Sequence, residues 1–136
     1  MFNWRIWRWI FKWKKNGKGK DYHCEGKIEF EGEYLNDKRN GKGKEYDEEG
    51  NLIFEGEYLN DKKWNGKGYD KSNNEVYELN DGKGLIKVYY IDTGRFAFEG
   101  EYLNGKRNGK GKEYWNDELE FEGEYLNGIR KKIDNT

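Results

Sequence analysis

No proline interrupts this chain, and cysteine, histidine and serine occur once each, as Cys24, His23 and Ser72. A single cysteine excludes an intramolecular disulfide framework and suits a reducing compartment, so an intracellular, cytoplasmic location is expected. His23 and Cys24 are neighbours, and on a strand they would point to opposite faces, which is poor geometry for a nucleophile–base pair. No G-x-x-x-x-G-K-[ST] phosphate loop occurs, and the GKGK phrases lack the hydroxyl and helix that such a loop needs. The spacing of His, Cys and carboxylates predicts no metal site, and Asp70-Lys71-Ser72-Asn73-Asn74 lacks the glycine of a calcium loop. The chain is therefore expected to be no enzyme and to take no cofactor. Long apolar runs are also missing: none approaches the roughly 18 residues that cross a bilayer. The start likewise lacks the continuous apolar region of a signal peptide.

What is present is aromatic and charged. Aromatic residues make up 18% and charged residues 39%, against 33% hydrophobic residues in all, with 19 glycines. A thick core cannot be built from this composition, but an array whose units bury themselves against their neighbours can. Residues 1–20 carry seven basic residues and no acid, so they hold +7; the remaining 19 basic and 27 acidic residues give −8. A basic arm on an acidic body is the result, and the body is expected to bind no nucleic acid.

One phrase is written repeatedly. FEGEYLNDKRNGKGKEY at 30–46 returns as FEGEYLNDKKWNGKGYD at 54–70 and as FEGEYLNGKRNGKGKEY at 98–114, and a truncated FEGEYLN closes at 121–127. The copies start at Phe30, Phe54, Phe98 and Phe121, so the period is 24 or 23 with room for a degenerate third unit at about 73–94. Such a period signals a repeat array. On a strand, Ile28, Phe30, Gly32 and Tyr34 share one face and Glu29, Glu31 and Glu33 the other; Leu52, Phe96 and Leu119 open the same pattern in later copies. NGKGK then returns as the partner strand. A turn at Asp37-Lys38 sets Glu33 opposite Lys42, Gly32 opposite Gly43 and Glu31 opposite Lys44, whereas a type I′ turn on Asn104-Gly105 would shift that register. The extra Trp64 predicts a longer loop in the second hairpin. Paired glycines predict a trough into which rings of adjacent units lie flat.

Residues 1–15, MFNWRIWRWIFKWKK, hold four of the six tryptophans. As a helix the segment is amphipathic, with Arg5, Arg8, Lys12 and Lys15 opposite the apolar arc; as a strand its alternation is nearly as clean. Trp4, Arg5, Trp7, Arg8, Trp9, Phe11 and Trp13 are thus expected to form either a cap on the first hairpin or an anchor on an anionic membrane surface. Residues 16–128 read as the hairpin repeats, and 129–136 as a capping tail.

With those residues in hand, the chain resembles MORN repeat proteins, in the divergent form that reads G-x-G-x-x-Y, a turn, then F-E-G-x-Y-x-N-G-K. The resemblance covers about residues 16–128. It implies an all-β fold, an elongated single-layer antiparallel meander of hairpins, and roles in scaffolding, protein–protein contact or attachment near membranes. It departs from the commoner pattern at Glu45 and Glu113, where an aromatic usually follows the glycine pair. The expected function is a non-enzymatic scaffold that binds a protein partner or a second copy of itself. Its candidate interaction face is Phe30, Tyr34, Phe54, Tyr58, Phe98, Tyr102, Phe121 and Tyr125, left partly open by the lack of a second layer. Peripheral membrane association and an antitoxin- or immunity-like binder are the alternatives.

Overall fold

The computed structural model describes residues 14–90 and 92–132. Among these, every regular element is a strand: β1 (Gly17–Tyr22), β2 (Ile28–Leu35), β3 (Lys38–Tyr46), β4 (Leu52–Leu59), β5 (Lys62–Tyr69), β6 (Glu75–Leu79), β7 (Gly84–Tyr89), β8 (Phe96–Leu103), β9 (Lys106–Trp115), β10 (Glu118–Leu126) and β11 (Ile129–Arg130). They form two antiparallel meanders in chain order, a six-stranded sheet of β1–β6 and a five-stranded sheet of β7–β11.

Both registers foreseen for the hairpins are realised at once, because a bulge joins them. The β2–β3 turn is Asn36-Asp37, both left-handed with φ of 51° and 68°, which pairs Leu35 with Lys38 and Tyr34 with Arg39. Beyond it the ladder shifts, so that Gly32 still faces Gly43 and Glu31 faces Lys44. Glu33 does not face Lys42 as a ladder pair; its carboxylate accepts the Lys42 amide at 2.7 Å across the bulge. The same arrangement holds in β8–β9, where Asn104-Gly105 is the turn and Gly100 faces Gly111. Trp64 does not lengthen the second loop. Leu59 pairs directly with Lys62, and Trp64 lies at a smaller shift that brings Gly66, the first glycine of its pair, opposite Gly56.

A row of glycines consequently crosses each sheet. Gly19, Gly32, Gly43, Gly56 and Gly66 face one another in turn, and the row ends on Leu79; in the second sheet Gly100, Gly111 and Gly123 follow Ile86. Rings lie on this row. A Cβ at Gly43 would stand 2.5 Å from Phe30 Cε2 and 3.1 Å from Tyr58 Cε2, so the bare backbone is what admits both rings. The degenerate third unit breaks the row where the sheets separate. Beyond the Asp81-Gly82 turn and the Asn80–Lys83 bridge, β6 and β7 do not continue as a ladder, and the buried Leu79 and Ile86 fill the junction.

The turns form a second ladder along one edge. The Asp37 amide donates to Lys15 O, Asp61 to Arg39 O, Gly82 to Trp64 O, Gly105 to Gly82 O and Gly128 to Arg107 O, all within 2.7–3.0 Å. The asparagine before each glycine pair adds a bond: Asn16, Asn40, Asn65 and Asn108 Oδ1 accept the amides of Asn36, Asn60, Asp81 and Asn127. This edge runs unbroken from the first sheet to the second through Gly82.

Alternation fails at the start of each FEGEY strand. The register shifts between Ile28 and Phe30 and again between Leu52 and Phe54, Phe96 and Phe98, and Leu119 and Phe121. The first residue of each pair therefore leaves the phenylalanine row. Tyr46, which pairs with Leu52, donates to Glu31 on the opposite face at 2.8 Å.

Candidate interaction surfaces

The aromatic face is the interior of the molecule. Phe30, Phe54 and Phe98 are 0% exposed, and Tyr34, Tyr58 and Tyr125 are buried; Tyr102 and Phe121 are half-buried. The expectation that this face stays partly open is thus corrected. Cations take the place of a second layer. The Arg39 guanidinium lies 4.1 Å from the Phe30 ring centroid, Arg107 4.0 Å from Phe98, Arg130 4.2 Å from Phe121, and Lys63 5.0 Å from Phe54. Each ring is held between glycine backbone below and a basic side chain above, an attraction worth about 0.5–2 kcal/mol per contact.

Carboxylates then fix those cations. Glu45 receives the Tyr58 hydroxyl at 2.8 Å and pairs with Arg39 at 3.0 Å and Lys63 at 3.4 Å. Glu113 repeats this with Tyr125 at 2.6 Å, Arg107 at 2.8 Å and Arg130. Asp21 does so at the first strand with Tyr34 at 2.5 Å, Lys15 and Arg39. Burial alone would raise the Glu45 carboxyl, but Lys63, the Tyr58 hydrogen bond and Arg39 outweigh it and hold the group below the ordinary carboxylate range. At Glu113 burial is likewise outweighed by hydrogen bonds from Arg130 and Tyr125. Burial, reinforced by Glu45, pushes the Tyr58 phenol far up. Where the acid is missing the rings change pose. Gly68 faces Phe54 and Tyr77, and Tyr77 stacks on Phe54 at 18° instead of meeting it edge-on like Tyr58 at 82°.

Residue types alone did not reveal these relays, yet a signal for them exists. Lys15–Asp21, Arg39–Glu45 and Arg107–Glu113 all stand six apart. The departures at Glu45 and Glu113 are therefore structural. His23 is accounted for in the same way, its Nε2 lying 2.9 Å from Tyr46 O, and Cys24 is exposed.

The opposite face is charged and regular. Lys20, Glu31, Lys44, Glu55, Lys67 and Glu78 face one another in alternating sign across the first sheet. Leu35, Leu59, Leu103 and Leu126 recur exposed as the last strand residue before four of the turns. A third surface is an open cleft of about 820 Å³ lined by the β1–β2 and β3–β4 connections of the first sheet and by residues of strands β7–β11 of the second. Tyr22, Cys24, Glu29 and Glu48 line it from one side, and Tyr90, Trp115 and Glu120 from the other. The Tyr90 and Trp115 rings meet at 88° with centroids 5.5 Å apart, and Trp115 is more than half exposed. No cluster of three or more potential metal ligands occurs among the described residues. No helix among them is long and apolar enough to cross a membrane. Trp4, Arg5, Trp7, Arg8, Trp9, Phe11 and Trp13 lie outside the described residues.

Hairpins that cannot bury their rings alone, stacked through a glycine row and a shared turn edge, define a β-hairpin repeat protein. The family description "MORN repeat" matches residues 30–52 and 98–119, the two copies that carry a complete relay. The chain is a MORN repeat protein. That family is one of non-enzymatic repeat scaffolds, generally associated with contacts to proteins or to membrane lipids. No curated protein matches the chain.

Proposed function

We propose that this chain is a non-enzymatic scaffold that binds a protein partner through its glutamate-and-lysine face rather than its ring face. The observation that carries this is the exposed leucine at the same point of four hairpins, beside rows of alternating charge. The ring face is largely covered by its own basic side chains, with Tyr102 and Phe121 half-buried; the leucine column supplies exposed apolar contact, and the charge rows supply register. The test compares the full chain with a quadruple variant, Leu35→Ser, Leu59→Ser, Leu103→Ser and Leu126→Ser, in affinity capture and in light scattering. Capture or self-association lost in the variant, with the strand spectrum retained, supports the reading. A wild-type protein that is strictly monomeric and captures nothing, or a variant that captures as well, counts against it.

A second reading is peripheral association with an anionic membrane. It is favoured by the basic segment 1–15 and by Lys38, Lys62 and Lys106 beside the turns, each basic residue near such a surface contributing about 1 kcal/mol. Co-sedimentation with anionic vesicles, absent with neutral ones, is its test.

A further inference from the structure

Resting on the reading that the glutamate-and-lysine face binds a protein, we infer that the partner of this face is a second copy of the chain. The two six-stranded sheets meet face to face about a two-fold axis that runs along the strands, between β3 and β4. Each repeat supplies one strand that turns lysines to this face and one that turns glutamates to it. Strands β1 to β6 therefore present Lys20, Glu31, Lys44, Glu55, Lys67 and Glu78 as successive ladder partners, a row that begins positive and ends negative. Such a row becomes its own complement when it is reversed. The axis sets β1 against β6, β2 against β5 and β3 against β4 of the other copy. Lys20 then faces Glu78, Glu31 faces Lys67 and Lys44 faces Glu55, each pair occurring twice and every pair opposite in sign. The second row follows the same rule, with Lys42 facing Glu57 and Glu33 facing the neutral Asn65. The other two-fold arrangement, with its axis across the strands, lays each strand over its own copy. Lysine would then meet lysine and glutamate meet glutamate, which the charges oppose.

The apolar contacts obey the same symmetry. Leu35 and Leu59 share the face of Glu31, Glu33, Glu55 and Glu57 by alternation, and both are exposed. Their ladder partners are Lys38 and Lys62. Across the axis Leu35 meets the aliphatic stem of Lys62 and Leu59 that of Lys38, so the leucines of the two copies interleave in one column. The charges are free to meet a partner, since the side chains of Lys44, Glu55 and Lys67 are 46%, 49% and 48% exposed. A trough floored by Gly19, Gly32, Gly43 and Gly56 runs between the two charge rows and leaves room for long side chains from both copies. The ladder breaks after β6, so these six strands are the longest uninterrupted row. Facing sheets cross at about 30°, which keeps the pairs nearest the axis, Lys44–Glu55 and Glu31–Lys67, within reach. Six strands about 4.8 Å apart, taken over the five residues Glu31 to Leu35, cover about 500 Å² per copy. The total of about 1,000 Å² is the lower limit for a specific interface, so the dimer is weak and reversible.

The test is sedimentation velocity of the full chain over a concentration series. A reversible dimer is expected, weaker by at least about tenfold at about 0.5 M salt than at about 0.05 M. Lys44→Glu and Glu55→Lys each place two like pairs beside the axis, and each alone should weaken the dimer by at least about tenfold. An equimolar mixture of the two restores every facing pair and should dimerise as the wild type does. Glu78→Lys, which matches Glu55→Lys in net charge, should not rescue Lys44→Glu. Leu35→Ser/Leu59→Ser should dissociate the dimer, whereas Leu103→Ser/Leu126→Ser on the second sheet should leave it intact. The inference is overturned by a dimer indifferent to the single reversals, by a mixture that stays monomeric, or by dissociation that follows the second-sheet leucines instead. A monomeric wild type that still captures another protein, and loses it in the quadruple leucine variant, overturns the second copy as partner but leaves the charged face as the binding surface. A monomer that captures nothing overturns both.

Discussion

The Tyr58 hydroxyl donates to Glu45 Oε1 at 2.8 Å, from the strand that begins one hairpin to the strand that ends the one before. That bond ties adjacent units, and Arg39 and Lys63 on the same carboxylate tie the cations over Phe30 and Phe54 to it. Glu45→Gln leaves two cations facing a neutral amide in a mostly buried site, so it is expected to destabilise by about 2–4 kcal/mol. Tyr58→Phe removes one charge-assisted bond and is expected to cost about 1.5–3 kcal/mol. In a urea-denaturation double-mutant cycle the pair should couple by at least about 1 kcal/mol. Additive losses would show that the carboxylate serves its cations alone.

The relays also set the response to pH. Asp21, Glu45 and Glu113 have folded-state pKa values below their unfolded ones, so their contribution is fully present above the ordinary carboxylate range. It is lost as pH falls through the depressed values, and acid unfolding should begin below about pH 4. Tyr58 and Lys63 are raised, so what they contribute is present below pH 10 and is lost at higher pH. Tyr46 is pushed up to about 12, by burial first and then by its bond to Glu31. Phenolate absorbance should therefore show a late class of tyrosines that appears only as the fold is lost. In Glu45→Gln the acid transition should flatten and one late tyrosine should titrate earlier.

Much of this architecture could be read in the residues, for a definite reason. Alternation is a period-2 property of the backbone, so Phe30, Gly32 and Tyr34 had to share a face, and steric exclusion at a crossing of glycines had to admit rings. Exposure of that face was misread because burial here depends on long side chains from the partner strand. Arg39 reaches Phe30 only because the bulge at Asn40-Gly41-Lys42 swings it back over the ring, and a bulge leaves no periodic trace. The leucine column was passed over for a simpler reason: one apolar residue beside a turn is unremarkable until the structure aligns four of them. The cleft joins residues far apart in sequence across two sheets, and nothing local encodes it.

Two kinds of glycine should separate cleanly on substitution. At Gly56 a Cβ would stand 2.0 Å from Asn65 O and 2.6 Å from Gly66 Cα, both backbone atoms that cannot yield without parting β4 from β5. Gly56→Ala is expected to lose about 3 kcal/mol or more, at the upper end of overpacking costs. Gly128 has nothing within 4 Å and is demanding only through its φ of +89°, so Gly128→Ala should lose about 1 kcal/mol. Urea midpoints rank the two, and equal losses would mean that the trough is not close-packed.

The last prediction concerns the junction. The hydrogen-bonded ladder stops between β6 and β7, so the sheets are coupled by the Asp81-Gly82 turn, by the turn-edge bonds through Gly82, and by Leu79 and Ile86. Those two side chains stand where other units have the central glycine, and they are 1% and 2% exposed. Truncating a fully buried aliphatic side chain costs about 2–5 kcal/mol. In a repeat array such a loss falls on one nearest-neighbour interface rather than on the whole fold. Leu79→Ala/Ile86→Ala should therefore split a single unfolding transition into two. Trp64, whose ring lies beside Gly82 in the turn, reports the junction by fluorescence, and far-ultraviolet ellipticity reports all strands. Leu85→Ala, at 69% exposure one residue away, should shift neither curve by more than about 0.5 kcal/mol. Coincident curves in the double variant would mean that the turn edge alone suffices to make the two sheets one cooperative unit.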